Sequence, residues 1–199
     1  MTETSHNIIL SGADAGGSRQ SRGRHFGWIL AWLCIAGWGG LTYVHAQSIY
    51  GEGPFAANFV GYAEADIPPI ETISGKQIGL TNSTLTTMNA EGAAFLHNQT
   101  GRCLGWWQVD KAAATFEQHV HCTYTDFDGD QIFEHADFDI QALDGPRIGT
   151  GRWLGGTGKY LGLSGVFEIR VRTLRSARDY LVQYVGTKQG HYRLVAPKD

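Results

Sequence analysis

Glu134 is the residue of this 199-residue sequence whose surroundings best suit acid–base chemistry. It follows the turn 125–131, whose Asp-Gly pair is typical of a β-hairpin. If Tyr124 faces Ile132 across this hairpin, the apolar residues share one inward face, which extends to Ile140 on the second strand, and Glu134 points inward with them. An inward carboxyl group has a raised pKa unless a cation or donor compensates, and it suits a general acid or base or a polar ligand anchor. If the strands form a barrel, the alternative is that Glu134 lies at the rim of the barrel, where water solvates its carboxyl group.

Three histidines lie on the opposite face of the same hairpin. His119, His121 and His135 resemble a three-histidine metal site, to which Asp137 or Glu117 could add a carboxylate. The register turns these side chains towards solvent and away from a pocket, which favours an exposed polar face. We therefore predict neither a metal site nor a cofactor.

The acidic run 126–130 resembles a calcium loop at first sight. An EF-hand loop needs glycine at its sixth position and glutamate at its twelfth, where this chain has Gln131 and Asp137. The flanking residues also predict strands instead of helices. An acidic β-turn is therefore the favoured interpretation, with weak calcium affinity left open.

Two cysteines lie in neighbouring predicted strands. Pairing 102–109 with 115–124 sets Cys103 opposite Cys122, on the same inner face as Trp107. In an oxidising compartment such a pair forms a disulfide, whereas two unpaired buried thiols would be expected in the cytosol. A disulfide is our prediction.

The chain from residue 92 onward alternates short apolar runs with turn residues, which predicts an all-β barrel or sandwich. The predicted strands are 92–97, 102–109, 115–124, 131–140, 147–154, 166–172, 180–185 and 191–195. A small barrel has room for one ligand or for packed side chains. The inward positions of the predicted strands include aromatic residues and one amide. The expected ligand-binding lining is Trp107, Phe116, Gln118, Tyr124 and Phe167.

The N-terminus differs from the rest in composition. Residues 1–25 are rich in Ser, Gly and Arg, which predicts a disordered segment. Residues 26–46 form a signal peptide or signal-anchor helix, preceded by arginines that keep the N-terminus cytoplasmic. Cleavage after Ala46 is favoured over a retained anchor, which would attach the protein to the membrane. The rest is expected in the periplasm or another extracytoplasmic space.

A glycine-rich segment carries a family resemblance. Residues 155–169, GGTGKYLGLSGVFEI, resemble the GGTGKF-x-x-A-x-G strand-turn-strand element of the allene oxide cyclase and dirigent barrel families, and the resemblance extends over 147–169. It implies a single eight-stranded antiparallel, calycin-like barrel with an apolar lumen, often oligomeric. In those families the lumen steers cyclisation or coupling of reactive hydrophobic molecules.

These observations predict an irregular segment with one or two strands at 47–91 and the barrel core at 92–199. The leading hypothesis is an exported barrel that binds a small hydrophobic molecule in an aromatic-lined lumen. It would be either a carrier or a cofactor-free cyclase, isomerase or lyase in which Glu134 is catalytic. The alternative is a non-enzymatic, membrane-anchored structural or assembly protein that acts through its outer surface. A net charge of −3 gives no reason to expect nucleic acid, and a homo-oligomer is compatible.

Overall fold

The computed structural model describes residues 49–64, 67–179 and 181–196. The predicted disordered segment and the predicted export or anchor helix lie outside these residues. Within the described part of the chain, no helix is both long and apolar enough to cross a membrane.

Antiparallel strands account for nearly all of the described structure. The elements are β1 (Gly51–Glu64), β2 (Ile70–Glu71), β3 (Lys76–Asn89), β4 (Gln99–Asp110), β5 (Thr115–Thr125), β6 (Gln131–Ala142), β7 (Arg147–Gly156), a 3-10 helix (Gly158–Tyr160), β8 (Ser164–Thr173) and β9 (Leu181–Leu194). The sheet order is β1-β9-β8-β7-β6-β5-β4-β3, and β1 also pairs with β3. The predicted all-β, eight-stranded antiparallel barrel is confirmed. The short β2 is an extra strand beside β3.

The barrel begins earlier in the chain than the sequence suggested. The segment expected to be mostly irregular supplies β1 and β3, each 14 residues long. Strand β3 was hard to recognise because its pattern is reversed. Its inward side chains include the small polar residues Thr81 and Ser83, whereas outward Leu80 is 59% exposed. In this part of β3 the apolar residues therefore mark the outward face, and a prediction that apolar residues point inward gives the wrong orientation.

Residues 92–97, predicted as a strand, instead form a loop that covers one end of the barrel. Phe95 and Leu96 are buried there, and Leu96 has a φ of 59°, which a regular strand does not allow. Asn89 holds the loop in place. Its Nδ2 donates to the Phe95 carbonyl at 2.9 Å, and its Oδ1 accepts from the Glu91 amide at 2.9 Å.

The predicted hairpin register is correct near the turn and fails at the far end. Tyr124 faces Ile132 as expected, but the register of β5 against β6 shifts between Phe116 and Gln118. A bulge of this kind reverses the faces of the residues beyond it. Ile140, expected to point inward, is consequently 67% exposed.

Aromatic rings fill the barrel end that the 92–97 loop covers. The Phe95 ring stacks on Tyr192 with centroids 4.2 Å apart, and Trp153 lies 4.4 Å from Phe167. Gly151 makes the second contact possible. A Cβ at this position would lie 2.2 Å from the Phe167 ring, so the ring packs directly on the backbone of β7.

Candidate functional site

The opposite half of the barrel contains a cavity of about 330 Å³. It lies where β1, β4, β6 and β8 end and where the neighbouring strands begin. Its outer lining includes Ile67, which is 56% exposed, and its inner lining includes fully buried Tyr124. The cavity therefore runs from solvent to the middle of the barrel.

Most of the predicted site residues meet around this cavity. Trp107, Phe116, Gln118, Tyr124 and Glu134 all line it. Phe167 does not belong to the lining, because it lies one layer deeper and packs against Trp153. Whether these side chains bind a ligand, and whether Glu134 is catalytic, stay predictions.

The predicted disulfide is confirmed and belongs to the cavity wall. Cys103 and Cys122 are directly opposite each other on β4 and β5, and their sulfur atoms are bonded. Both cysteines line the cavity. The covalent link therefore fixes two wall strands at the level where packed side chains give way to open space.

A buried ion pair forms the floor of the cavity. Lys188 of β9 and Glu134 of β6 are each 1% exposed, and Tyr124 of β5 is fully buried. The Lys188 ammonium donates hydrogen bonds to Glu134 Oε2 and to Tyr124 Oη. Glu134 thus points inward as predicted, with the compensating cation supplied by the last strand of the barrel.

Burial and the charge of Glu134 act in opposite directions on the pKa of Lys188 and in the same direction on the pKa of Tyr124. Burial lowers the pKa of Lys188, and the adjacent Glu134 carboxylate opposes that change. Burial, followed by the charge of Glu134, raises the pKa of Tyr124 well above its ordinary value, so its hydroxyl stays protonated at neutral pH. Aromatic rings further stabilise the ammonium. Its Nζ lies 4.6 Å from the Tyr124 ring centroid and 5.2 Å from that of Phe167.

The floor retains unused hydrogen-bonding capacity. Glu134 Oε1 is buried and has no hydrogen-bond partner among the described residues. Lys188 carries three N–H donors, of which Glu134 and Tyr124 accept two. A ligand with a hydroxyl or carbonyl group could therefore be held at the floor by a carboxylate oxygen or an ammonium proton.

Lys188 was missed by sequence reasoning because residues 186–190 were not assigned to a strand. They lie in the middle of β9, which runs unbroken through this segment. Alternate residues of the strand point inward and include Tyr184, Tyr192 and buried Leu194. Extending that alternation from both ends would have placed Lys188 inside the barrel.

The histidine cluster lies on the outer face, as predicted. His119 Nδ1 is 2.6 Å from Asp137 Oδ1, and its Nε2 is 3.0 Å from Glu117 Oε1. His135 Nε2 also reaches Asp137, at 2.9 Å. Within the described ranges, no group of three histidine, cysteine or acidic residues is arranged to hold a metal ion. The geometry is that of a surface ion-pair network.

The acidic turn 126–130 has a cation of its own. The Lys159 ammonium lies 2.8 Å from Asp126 Oδ2 and also contacts Asp128. The backbone amide of Lys159 donates to Asp130 Oδ2 at 3.2 Å. The turn therefore joins the hairpin to the 3-10 helix, and one lysine offsets part of the negative charge of its carboxylates.

Comparison with known proteins identifies no family from sequence. No family model matches the chain, and no curated protein matches it. A solved structure of a pterocarpan synthase dirigent protein aligns with 12% identity and a TM-score of 0.47, covering 77% of this chain and 91% of that one. The barrel assignment rests on the strand pairing described above. The resemblance to allene oxide cyclases stays a prediction.

Proposed function

We propose that this barrel binds a small, largely apolar molecule in its open half and holds one polar group of that molecule at the Lys188–Glu134–Tyr124 floor. The observation that carries the proposal is a cavity of about 330 Å³ that ends on a buried ion pair. A barrel stabilised only by packing would gain from filling this space with side chains.

The walls and the floor favour different parts of such a ligand. Phe116, Val120 and Ile169 supply apolar wall area, which favours a ring or a short chain. At the floor, a hydroxyl group would satisfy Glu134 Oε1, and a carbonyl group would accept from Lys188. A buried polar group left unpaired is costly, so the floor selects ligands that supply a partner.

Blocking the cavity tests this proposal. Val171 lines the cavity, whereas Val166, on the same strand, is 66% exposed on the outside. We expect 2-naphthamide, a neutral aromatic amide, to bind the full chain saturably in calorimetric titration. Val171→Trp should remove this binding, and the matched control Val166→Trp should retain it. Absence of saturable binding, or equal binding by both variants, would contradict the proposal.

A second candidate function is cofactor-free isomerisation, cyclisation or lyase chemistry. It is favoured by the presence of three titratable side chains in mutual contact at the end of an apolar cavity. Glu134 would accept a proton, the neutral Tyr124 hydroxyl would donate one, and Lys188 would stabilise developing negative charge.

Native mass spectrometry of the full chain from its own host would identify a co-purifying molecule for this second test. Conversion of that molecule should stop in Glu134→Gln, whose amide keeps the shape of the carboxyl group but is a poor base. Binding should survive in the same variant. Conversion at the unmodified rate by Glu134→Gln would reject the acid–base role.

We also propose that the barrel works outside the cytoplasm. The Cys103–Cys122 disulfide supports this location, because such bonds persist mainly in oxidising compartments. Non-reducing peptide mapping of protein from its own host should show the two cysteines linked. Two free thiols would contradict this location.

A further inference from the structure

Arg147 is a charged residue on the inner face of the barrel, at the cavity mouth. It is the first residue of β7, and the next inward positions on that strand are Gly149 and Gly151. Its guanidinium lines the cavity and lies over the Phe116 ring, 3.6 Å from the centroid. Because β6 separates β7 from β5, the side chain reaches across one strand to make this contact.

The guanidinium has no acidic partner among the described residues. Arg147 differs in this from partly exposed cations that do have acidic partners, such as Lys76 with Asp110, Arg152 with Asp137 and Arg170 with Glu168. Burial lowers the pKa of Arg147, and no described carboxylate offsets that effect. A partly desolvated cation without a counter-ion is unfavourable unless something else supplies negative charge.

The other charged groups that line the cavity do not provide that charge. Glu134 is committed to Lys188 at the floor. Glu64 lies on β1, three strands away from β7 in the barrel order, and accepts a hydrogen bond from Asn82 Nδ2 at 2.6 Å. Neither carboxylate forms an ion pair with Arg147.

The stacking geometry also restricts the shape of a partner. Phe116 covers one face of the planar guanidinium, so the N–H groups remain available along its edge. An edge of this kind matches a planar group with two oxygens in the same plane. A carboxylate fulfils this requirement.

We propose that Arg147 is a carboxylate-binding site and that the ligand class of this barrel is an amphipathic carboxylic acid. The apolar body of the ligand would occupy the cavity, and its carboxylate would pair with Arg147 at the mouth. This inference rests on the proposed binding function and adds a charge to the expected ligand.

Two probes of the same shape isolate the contribution of charge. The anion 2-naphthoate and neutral 2-naphthamide differ only in the charge of their single polar group. In calorimetric titration of the full chain, we expect 2-naphthoate to bind about tenfold more tightly, as a charge-assisted hydrogen bond provides. Arg147→Met should remove that preference, so that the two probes bind this variant with similar affinity, and Arg147→Lys should keep part of the preference.

Arg152→Met is the matched control, because Arg152 lies on the outside of the same strand and its side chain is 54% exposed. This variant should retain the full preference for 2-naphthoate. Equal affinity of the unmodified chain for both probes, or an undiminished preference in Arg147→Met, would overturn the carboxylate site and leave the binding proposal standing. Binding of neither probe would overturn both proposals.

Discussion

The two ends of the barrel are built in opposite ways. At one end, Phe55, Phe95, Trp153 and Tyr192 pack ring against ring beneath a loop. At the other end, aromatic side chains such as Phe116 line open space, and the partner of Phe116 is the charged Arg147. The closed end is stabilised by packed side chains. The open end lacks part of that stabilisation, because a cavity takes the place of packed side chains.

This difference explains where the buried charges lie. The Lys188–Glu134 pair lies at the boundary, with Trp153 and Phe167 of the packed end on one side and the cavity on the other. A buried ion pair adds little to stability compared with well-packed apolar side chains. Its position at the end of a cavity therefore supports the proposed ligand binding more than a role in stability.

Breaking the boundary pair should have the largest effect. Lys188→Met leaves Glu134 as a buried carboxylate without a cation, and we expect the free energy of unfolding to fall by about 3–5 kcal/mol. The double variant Lys188→Met/Glu134→Gln should recover most of that loss, because no buried charge remains. Urea unfolding followed by circular dichroism measures both. Equal losses in the single and double variants would show that packing, and not charge, stabilises the boundary.

Removing one ring from each end tests the comparison directly. Phe95→Ala should cost about 3–4 kcal/mol, because Phe95 contacts rings on several sides in the packed end. Phe116→Ala should cost about half as much, because Phe116 already faces the cavity. Urea unfolding of both variants gives the two losses. A greater loss for Phe116→Ala would show that the open half is the better packed one.

The disulfide should partly replace the packing that the open end lacks. Its cysteines are 19 residues apart in sequence, so we expect the double variant Cys103→Ala/Cys122→Ala to lose about 3 kcal/mol through greater freedom of the unfolded chain. The unfolding midpoint of the unmodified protein should fall similarly when a reductant is added. An unchanged midpoint in both experiments would contradict a stabilising role.

The outer histidine network belongs to neither end and should have the smallest effect. Hydrogen bonds to Glu117 and Asp137 raise the pKa of His119 above 6.5. The stability from this interaction is fully present below about pH 6.5 and is lost as the pH rises through the raised pKa. Its size should be about 0.5 kcal/mol or less, because the side chains are partly exposed.

Thermal unfolding between pH 5 and pH 9 would measure this contribution. His119→Gln should flatten the decline in melting temperature above pH 6.5. The control His191→Gln changes an exposed histidine on β9 and should keep the slope of the unmodified chain. An identical slope in His119→Gln and the unmodified protein would show that the network contributes nothing to folding.

The parts of the fold that sequence predicted well are those where one face is apolar. Cys103 opposite Cys122 and Tyr124 opposite Ile132 followed from this pattern and are confirmed. The pattern failed in β3, where Thr81 and Ser83 point inward. It also failed beyond the β5–β6 bulge, because no simple alternation reveals an inserted residue.

The candidate site was predictable only in part, for a related reason. Glu134 was recognised because it interrupts a series of apolar residues on one face of its strand. Lys188 lies between Gly186 and Gly190, so no series of apolar residues marks its face of the strand. Neither glycine has a side chain to mark which face points inward. Glu134 of β6 and Lys188 of β9 also contact each other across the barrel, although they are 54 residues apart in sequence. A pattern read along the sequence does not reveal a contact between such distant residues.

The position of β1 has a consequence for the order of folding. This strand pairs with β3 on one edge and with β9 on the other, so Gly51 meets Leu194. One edge of β1 can pair as soon as β3 has formed. The other edge can pair only after β9, near the end of the described chain, has been synthesised. Such distant pairing slows folding and leaves an unpaired strand edge meanwhile. The nascent barrel would therefore remain open to wrong partners until β9 is inserted.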